Sequence, residues 1–533
     1  MKTPVKLLGL LLLFVFTLLP LGVIIVTSLL PEGTVSIAAY TEAFSSSRVW
    51  KIISVNALMA LGAATIAALM AVPAAWTAAR TDAPLAKVFA FLAVAPLLIP
   101  SHIVVYSWMQ LLREAGSDGQ PLFSPYNAWF GSFVMACYYF PVLFYGAYAA
   151  FKSTDVAAEE SALLFTSPWK TWRKVVLPMA FPYLAASFVL IFLLCFAEFG
   201  IPAMLTVNTF VGEVFVYISS FSNIPSAVAL SVGIFAFIVL LGIPLFRYLP
   251  AKYFAGGGLQ EKPRVHALGK WKVIATAFLV FVLTVTIIVP VGALVIRAFA
   301  FLGDSNDPGS HFAGLSYFRE AVVSARTDLQ TSFVVGFLAA VFCVIVAIPI
   351  ARILTSGRPR RQYSLFVLAA IAFIVPGTVF AVGLIRIWNH APPFFNDIYT
   401  SPAILFLAHA GRFLPLAVLI IAAGMRRVGK EGEFMAKLHG ASDSRAFMDI
   451  TLPQLSREFW LAIMAVLVFS LGELGATSLV SPAGHTTVSA RLYILMHYGN
   501  EEKVSALCLI TIALIVLPVV VFALLAGQKK RRV

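Results

Sequence analysis

The stretch Gly424–Leu455, GMRRVGKEGEFMAKLHGASDSRAFMDITLPQL, is a charged insert in an otherwise apolar chain, and its reading decides the fold. Runs long enough to cross a bilayer flank it on both sides. A weaker copy, FKSTDVAAEESALLFTSPWKTWRKVVLPMAFPY, occupies Phe151–Tyr183. Three matches set the copies 275 residues apart: Leu177-Pro178 with Leu452-Pro453, Glu198 with Glu473, and Gly200 with Gly475. One charged loop, repeated at the same place in two apolar halves, implies a device of two-fold character that is gripped from one side of a membrane.

Of the 533 residues 60% are hydrophobic and only 12% charged, against about a quarter charged in soluble domains. Mean hydropathy is +0.93. Apolar runs of about twenty residues recur, the length of helix that crosses the hydrocarbon layer. The runs are continuous and do not alternate, so they read as helices and not as the strands of a barrel. The expected fold class is an all-α polytopic membrane protein with about 12 transmembrane helices, arranged as two parallel six-helix repeats. Spans are expected near 7–29, 52–76, 88–112, 127–150, 183–204 and 226–247, then 273–299, 330–353, 364–388, 402–424, 459–480 and 504–526. Residues 1–250 then form the first transmembrane half, 251–272 a cytoplasmic linker, and 273–533 the second half. Six spans per half keep both halves in one orientation, related by an axis along the membrane normal.

The net charge of +14 would suit nucleic acid, but most of the Lys and Arg residues fall on one side of the expected spans. That is the positive-inside bias. It places both termini and both charged loops on the cytoplasmic side of a multi-pass membrane protein, with the lipid bilayer as partner and no nucleic acid. The linker holds Gly256-Gly257-Gly258 and then EKPRVHALGK, and reads as a flexible, hydrated tether. The basic tail Gln528–Val533 would rest on anionic lipid. Cys137, Cys195, Cys343 and Cys508 fall in expected spans without paired spacing, as small buried residues and not as disulfides or metal ligands. The run Leu7–Leu30 is too long for a signal peptide and is expected to remain as the first span.

Within the second loop, Phe434, Leu438 and Ala441 share one helical stripe, Gly440 suits a helix end, and Pro453 suits the start of the next span. The run Glu433-Phe434-Met435-Ala436, then Gly440-Ala441-Ser442, then Leu452-Pro453 resembles the "EAA" loop of ABC importer permeases. In the first copy Glu159-Glu160-Ser161 and Ser167 match, with Leu177-Pro178 at the end, while Phe165 replaces the glycine. In that family the loop forms a coupling helix seated in a cleft of an ATPase subunit. The resemblance implies a fused, two-half permease subunit of the prokaryotic inner membrane that takes two ATP-binding subunits on its cytoplasmic side. ATP and magnesium would sit on those partners, with no cofactor or metal in this chain. Gly424 to Lys430 fits G-x-x-x-x-G-K, but Glu431 follows where a phosphate loop needs Ser or Thr, and an apolar span precedes it in place of a soluble strand.

Polar groups inside membrane spans default to a functional reading. Glu198 and Glu473 take matching places in the fifth span of each half. Two roles fit: facing a central pathway toward a cationic solute, or structural, neutralised by hydrogen bonds or by Arg412. His409 lies three residues from Arg412 on the same helix face, and Tyr138 and Tyr139 hold the matching site. Pro100 and Pro376 interrupt the third span of each half at equivalent positions, where the lost backbone hydrogen bond is expected to kink the helix; ordinary packing irregularity and a pathway role both fit. The ending LGELGATSLVSPAGHTTVSARLYILMHYG looks most like fused permeases of ferric-iron importers, with thiamine, polyamine and aminoalkylphosphonate systems as relatives. An extracytoplasmic solute-binding protein would then meet the loops near Ala203–Pro225 and Ser481–Lys503. Two other classes compete. A twelve-helix ion-coupled secondary transporter would need no duplicated cytoplasmic loop. A membrane-embedded enzyme would need a cluster of acid, base or metal ligands, and the eight histidines are scattered.

Overall fold

The computed structural model describes residues 3–30, 34–116, 121–248, 264–299, 313–356, 359–389 and 392–529. The glycine run of the linker and the last four residues of the basic tail lie outside them. Among the described residues nine helices are long and apolar enough to cross a membrane, and three sharply bent helix pairs raise the number to twelve. In order these spans are Leu7–Leu29, Ser47–Arg80, Ala86–Leu98 with Ser101–Glu114, Ala128–Lys152, Pro168–Phe196 and Ile224–Ile243. Then come Gly269–Ala298, Arg326–Leu354, Gln362–Ile374 with Gly377–Trp388, Ala403–Val428, Asp443–Gln454 with Ser456–Leu471, and Glu501–Leu524. The polytopic all-α class is thus as expected. The four cysteines are buried and unpaired.

Three expectations need correcting. The third and ninth spans are not kinked but broken, their halves meeting at 97° and 90°. Proline has no N–H to continue the ladder and forces its predecessor out of the helical region. Ile99 is accordingly extended, and new helices start at Ser101 and Gly377. The fifth and eleventh spans end early, at Phe196 and Leu471, so Glu198 and Glu473 lie in unwound chain beyond the helices. The fifth span also opens well before residue 183, with Pro178 inside the continuous helix Pro168–Phe196, whereas the chain bends by 64° just after Pro453.

Proline inside a helix clashes with the carbonyl four residues back. Four times among the described residues the chain answers with one wide π turn: Phe14–Leu18, Trp172–Val176, Thr284–Ile288 and Phe447–Thr451. Each precedes an X-Pro pair (Leu19-Pro20, Leu177-Pro178, Val289-Pro290, Leu452-Pro453), and the residue before proline bonds to the carbonyl five back. The carbonyl that proline would strike is moved aside.

The first span packs against the eighth, ninth and tenth. Thr17 donates to the Gly411 carbonyl at 2.7 Å, and a Cβ at Gly411 would collide with the Phe16 carbonyl. Reciprocally, the seventh span packs against the two arms of the third. Each crosses to the other half of the chain, so the halves interlock.

Contacts at the helix ends fix sidedness. His266, just ahead of the seventh span, bonds to the Arg80 carbonyl at the end of the second. The far end of the seventh span carries Arg297, which bridges Glu114 at 2.9 Å and Glu501 at 2.8 Å. The helix Ala313–Ser324, which leads into the eighth span, is tied to that far face by the Glu320–Lys503 pair at 2.5 Å, and the span returns from there to end at Leu354, two residues past Arg352. Arg80 and Arg352, and with them the two charged loops, lie on one side of the molecule.

Candidate functional site

Each charged loop is a short helix hung from a buried carboxylate. In the first loop Asp155 caps the helix Val156–Leu163, accepting from the Ala158 N–H at 3.2 Å. Its Glu159 points inward to the buried Arg80 at the end of the second span, and to His266 Nε2 at 3.1 Å. In the second loop Glu433 of the helix Glu431–Leu438 is gripped by both terminal nitrogens of Arg352, one at 2.6 Å, and by the Thr451 hydroxyl. Burial pushes both carboxyls up. The opposing bonds, from His266 and Arg80 in one case and from Arg352 and Thr451 in the other, win and hold both below the usual carboxylate range.

The second helix ends as a Schellman motif. Gly440 N–H donates to the Lys437 carbonyl at 2.9 Å and Ala441 N–H to the Ala436 carbonyl at 3.0 Å, with Gly440 at φ +87°. That pattern needs a left-handed residue just past the helix, which glycine adopts without strain. Ser442 then caps the following turn by accepting from the Arg445 N–H. In the first loop Phe165 stands at the glycine's place with negative φ, and the chain turns by donating from Phe165 and Thr166 to the Ala162 carbonyl. The two loops are therefore not copies in backbone. Both expose apolar side chains: Leu164, Phe165 and Trp169 on one, Phe434, Met435 and Leu438 on the other. The stripe expected to run on to Ala441 stops at Leu438, because the helix ends there.

A cavity of about 360 Å³ lies where the third, fourth and fifth spans meet the ninth, tenth and eleventh. Both unwound carboxylates line it. Glu198 accepts from Ser101 Oγ at 2.7 Å, Tyr139 OH at 2.5 Å and the Gly200 N–H at 3.0 Å. Glu473 pairs with Arg412 and accepts from the Ala476 N–H at 2.7 Å. Pro100, Ser101, Tyr138 and Gly377 also face the cavity, whereas Pro376 itself does not. At Gly377 a Cβ would collide with Arg412 Nη1, Glu473 Oε1 and the Ala476 nitrogen, so the missing side chain is what lets the arginine reach its partner. A second cavity, of about 740 Å³, opens at the opposite end of the molecule from the loops, and Met204, Thr206, Met496 and His497 line it.

No family model matches the chain. The Fe(3+)-transport system permease protein FbpB 2 of Haemophilus influenzae is 26% identical over 415 residues, 76% of each chain. The ferric transport system permease protein FbpB of Actinobacillus pleuropneumoniae is 23% identical over 83% of this chain and 66% of its own. PhnV of Salmonella typhimurium, named for 2-aminoethylphosphonate transport, is 26% identical over 38% of this chain but 76% of itself, so it is about half as long. This chain is a relative of the ABC importer permeases. Those relatives are named as permease proteins of transport systems.

The structure distributes the permease's expected docking residues over two environments. Glu159 and Glu433 are buried anchors. Glu160, Ser161, Ser167, Pro178, Gly440, Ser442 and Pro453 are exposed, and Leu177, Ala436, Ala441 and Leu452 are half-buried. Sequence reasoning missed Arg80, Arg352, Thr451, Ser101, Gly377 and His266. A basic residue closing the second span of each half was a usable signal for the two arginines. For His266 there was none, since its partner Glu159 lies 107 residues away.

Gly440 gives a clean test of the loop's backbone. A Cβ there meets nothing within 4 Å, so Gly440→Val introduces strain of about 1–3 kcal/mol without a clash. Uptake by the permease is expected to fall while membrane insertion stays normal. Gly440→Asn, which tolerates the left-handed region, should keep most of the uptake. Equal transport by the Val and Asn variants, measured at matched expression, would count against a role for the loop's shape.

Proposed function

We propose that this chain forms the translocation pathway of a binding-protein-dependent importer, in which separate ATPase subunits grip the two charged loops from the cytoplasm. The observation that carries this reading is the pair of short helices on one face. Each is fastened by a buried glutamate to an arginine closing a membrane span, and each offers exposed apolar side chains to a partner. The excess of Lys and Arg on that face supports a cytoplasmic position for the loops and for both termini. ATP and magnesium then belong to the partners, two ATP-binding subunits per chain.

A solute-binding protein would dock over the outer cavity, to which Thr206 and Met496 contribute from the loops near Ala203–Pro225 and Ser481–Lys503. The central cavity, walled by three spans from each side of the repeat, is the occlusion point between the two openings. ATP binding would favour one loop spacing, and its differential affinity would set the direction of rocking. Two relatives that match most of the chain are named for ferric iron, and ferric iron is the solute we assign; shorter matches named for 2-aminoethylphosphonate and molybdenum define the alternatives.

Purification in mild detergent with the genetically neighbouring ATPase and binding protein tests the reading. Two ATPase copies per chain, and uptake of radioactive ferric iron that requires ATP, are expected. Uptake that persists without any ATPase and follows an ion gradient would replace this function with secondary transport.

A further inference from the structure

The segment Val265–Lys272 reads in the sequence as the end of a hydrated tether, yet it is bonded to the far half of the chain. His266 N–H donates to the Arg80 carbonyl at 2.8 Å, and Asp82 N–H donates to the His266 carbonyl at 3.3 Å. Leu268 N–H donates to Asp82 Oδ1 at 2.9 Å, and Lys272 Nζ lies 2.8 Å from Asp82 Oδ2. These bonds lay the His266 ring on Trp76, with centroids 5.7 Å apart and planes at 29°. Nε2 is thereby aimed at Glu159 Oε1.

The second loop explains why a donor is needed there. Glu433 takes two nitrogens from Arg352 and a hydroxyl from Thr451. Thr451 is the last residue of the wide turn before Leu452-Pro453. The last residue of the matching turn, before Leu177-Pro178, is Val176. It is just as buried and has nothing to donate. Arg80 also gives less than Arg352: only Nη2 reaches Glu159, and its Nε and Nη1 find no partner among the described residues. The first loop is one donor short within its own half.

We propose that His266 is the positioning residue that makes up this deficit: it gives Glu159 the hydrogen bond that Thr451 gives Glu433. Because His266 leads directly into the seventh span, the first docking loop is tied to both halves, while the second is held within its own. The two loops are mechanically unequal, and displacement of the first is passed to the seventh span through Val265–Lys272. This rests on the reading of the loops as docking sites.

Spin labels at Ala157→Cys in the first loop and His439→Cys in the second test it on the full chain in nanodiscs, with no ATPase present. Both sites are exposed and the native cysteines are buried. His266→Leu is expected to raise the mobile fraction at 157 about tenfold, the factor that loss of one hydrogen bond to a charged group implies, and to leave 439 unchanged. Adding Val176→Thr restores the immobile spectrum. Thr451→Val should do the reverse, freeing 439 and not 157. An unaltered spectrum at 157, equal changes at both sites, or no rescue by Val176→Thr overturns the proposal. With partners added, His266→Leu should lower uptake per ATP hydrolysed while both ATPase copies stay bound. Failure of the unmodified chain to bind an ATPase would overturn the docking reading and leave the label result standing.

Discussion

Glu473→Ala is expected to lower stability by about 3 kcal/mol, the low end of the range for breaking a buried ion pair. The low end applies because Arg412 keeps 21% of its side chain open to the cavity while Glu473 keeps 5%. The loss has an identifiable source: a guanidinium held in the protein interior without its partner. Arg412→Met should cost less, since a lone Glu473 keeps the Ala476 N–H and can take up a proton. The double variant Arg412→Met/Glu473→Leu removes both charges and should regain most of the stability, as replacement of buried pairs by hydrocarbon commonly does. Gly377→Ala should resemble Glu473→Ala, because its methyl group would displace the arginine. Glu198→Gln should be mild, since an amide oxygen still accepts from Ser101 and Gly200. Thermal unfolding in detergent checks the series. A wild-type midpoint for Glu473→Ala, or a double variant no better than that single one, would contradict the account.

The contrast between Glu198 and Glu473 also shows what the sequence could and could not disclose. Period, length and charge bias made ten of the twelve spans legible to within about five residues, because hydrocarbon thickness sets the length of every crossing; the fifth and eleventh were placed too late in the chain, because the charged loops run straight into their helices. The matched glutamates were legible as a pair. Their surroundings were legible only as alternatives, hydrogen bonds or Arg412, because a carboxylate can be satisfied by a cation or by a set of neutral donors. The chain uses each solution once, Arg412 for Glu473, and Ser101, Tyr139 and a backbone N–H for Glu198. Breaks were under-read for a related reason. A proline announces a lost hydrogen bond, but whether the helix bends by a few degrees, widens by one residue as before Pro178, or breaks at a right angle as at Pro100 depends on what packs around it. The two loop arginines escaped notice because Arg80 lies seven residues past Pro73 and Arg352 only three past Pro349. That difference of about one helical turn keeps the face and spoils the alignment of the repeat.

Glu433→Ala is expected to have the largest effect on coupling. Removing the carboxylate leaves Arg352 and the Thr451 hydroxyl without their shared acceptor, at a cost of about 3 kcal/mol, or roughly a hundredfold rise in the detached state of the loop. Uptake should collapse, ATPase activity should lose its response to the loaded binding protein, and the amount of chain in the membrane should change little. The same pair predicts a pH dependence of known sign. The Glu433 carboxyl is held below its usual range in the folded state, so its contribution is complete above the ordinary carboxylate pKa. It is lost as pH falls through the lowered folded value. Acidification should therefore release the second loop, read as growing mobility of a label at His439→Cys, with the half-point below the ordinary carboxylate range. Glu433→Gln should flatten that titration, because an amide does not titrate. It should still weaken the loop at neutral pH, since the amide's NH₂ faces a donor on Arg352. A titration at 439 that survives in Glu433→Gln would mean that another group carries the acid response and that the Glu433–Arg352 pair is not what holds the loop.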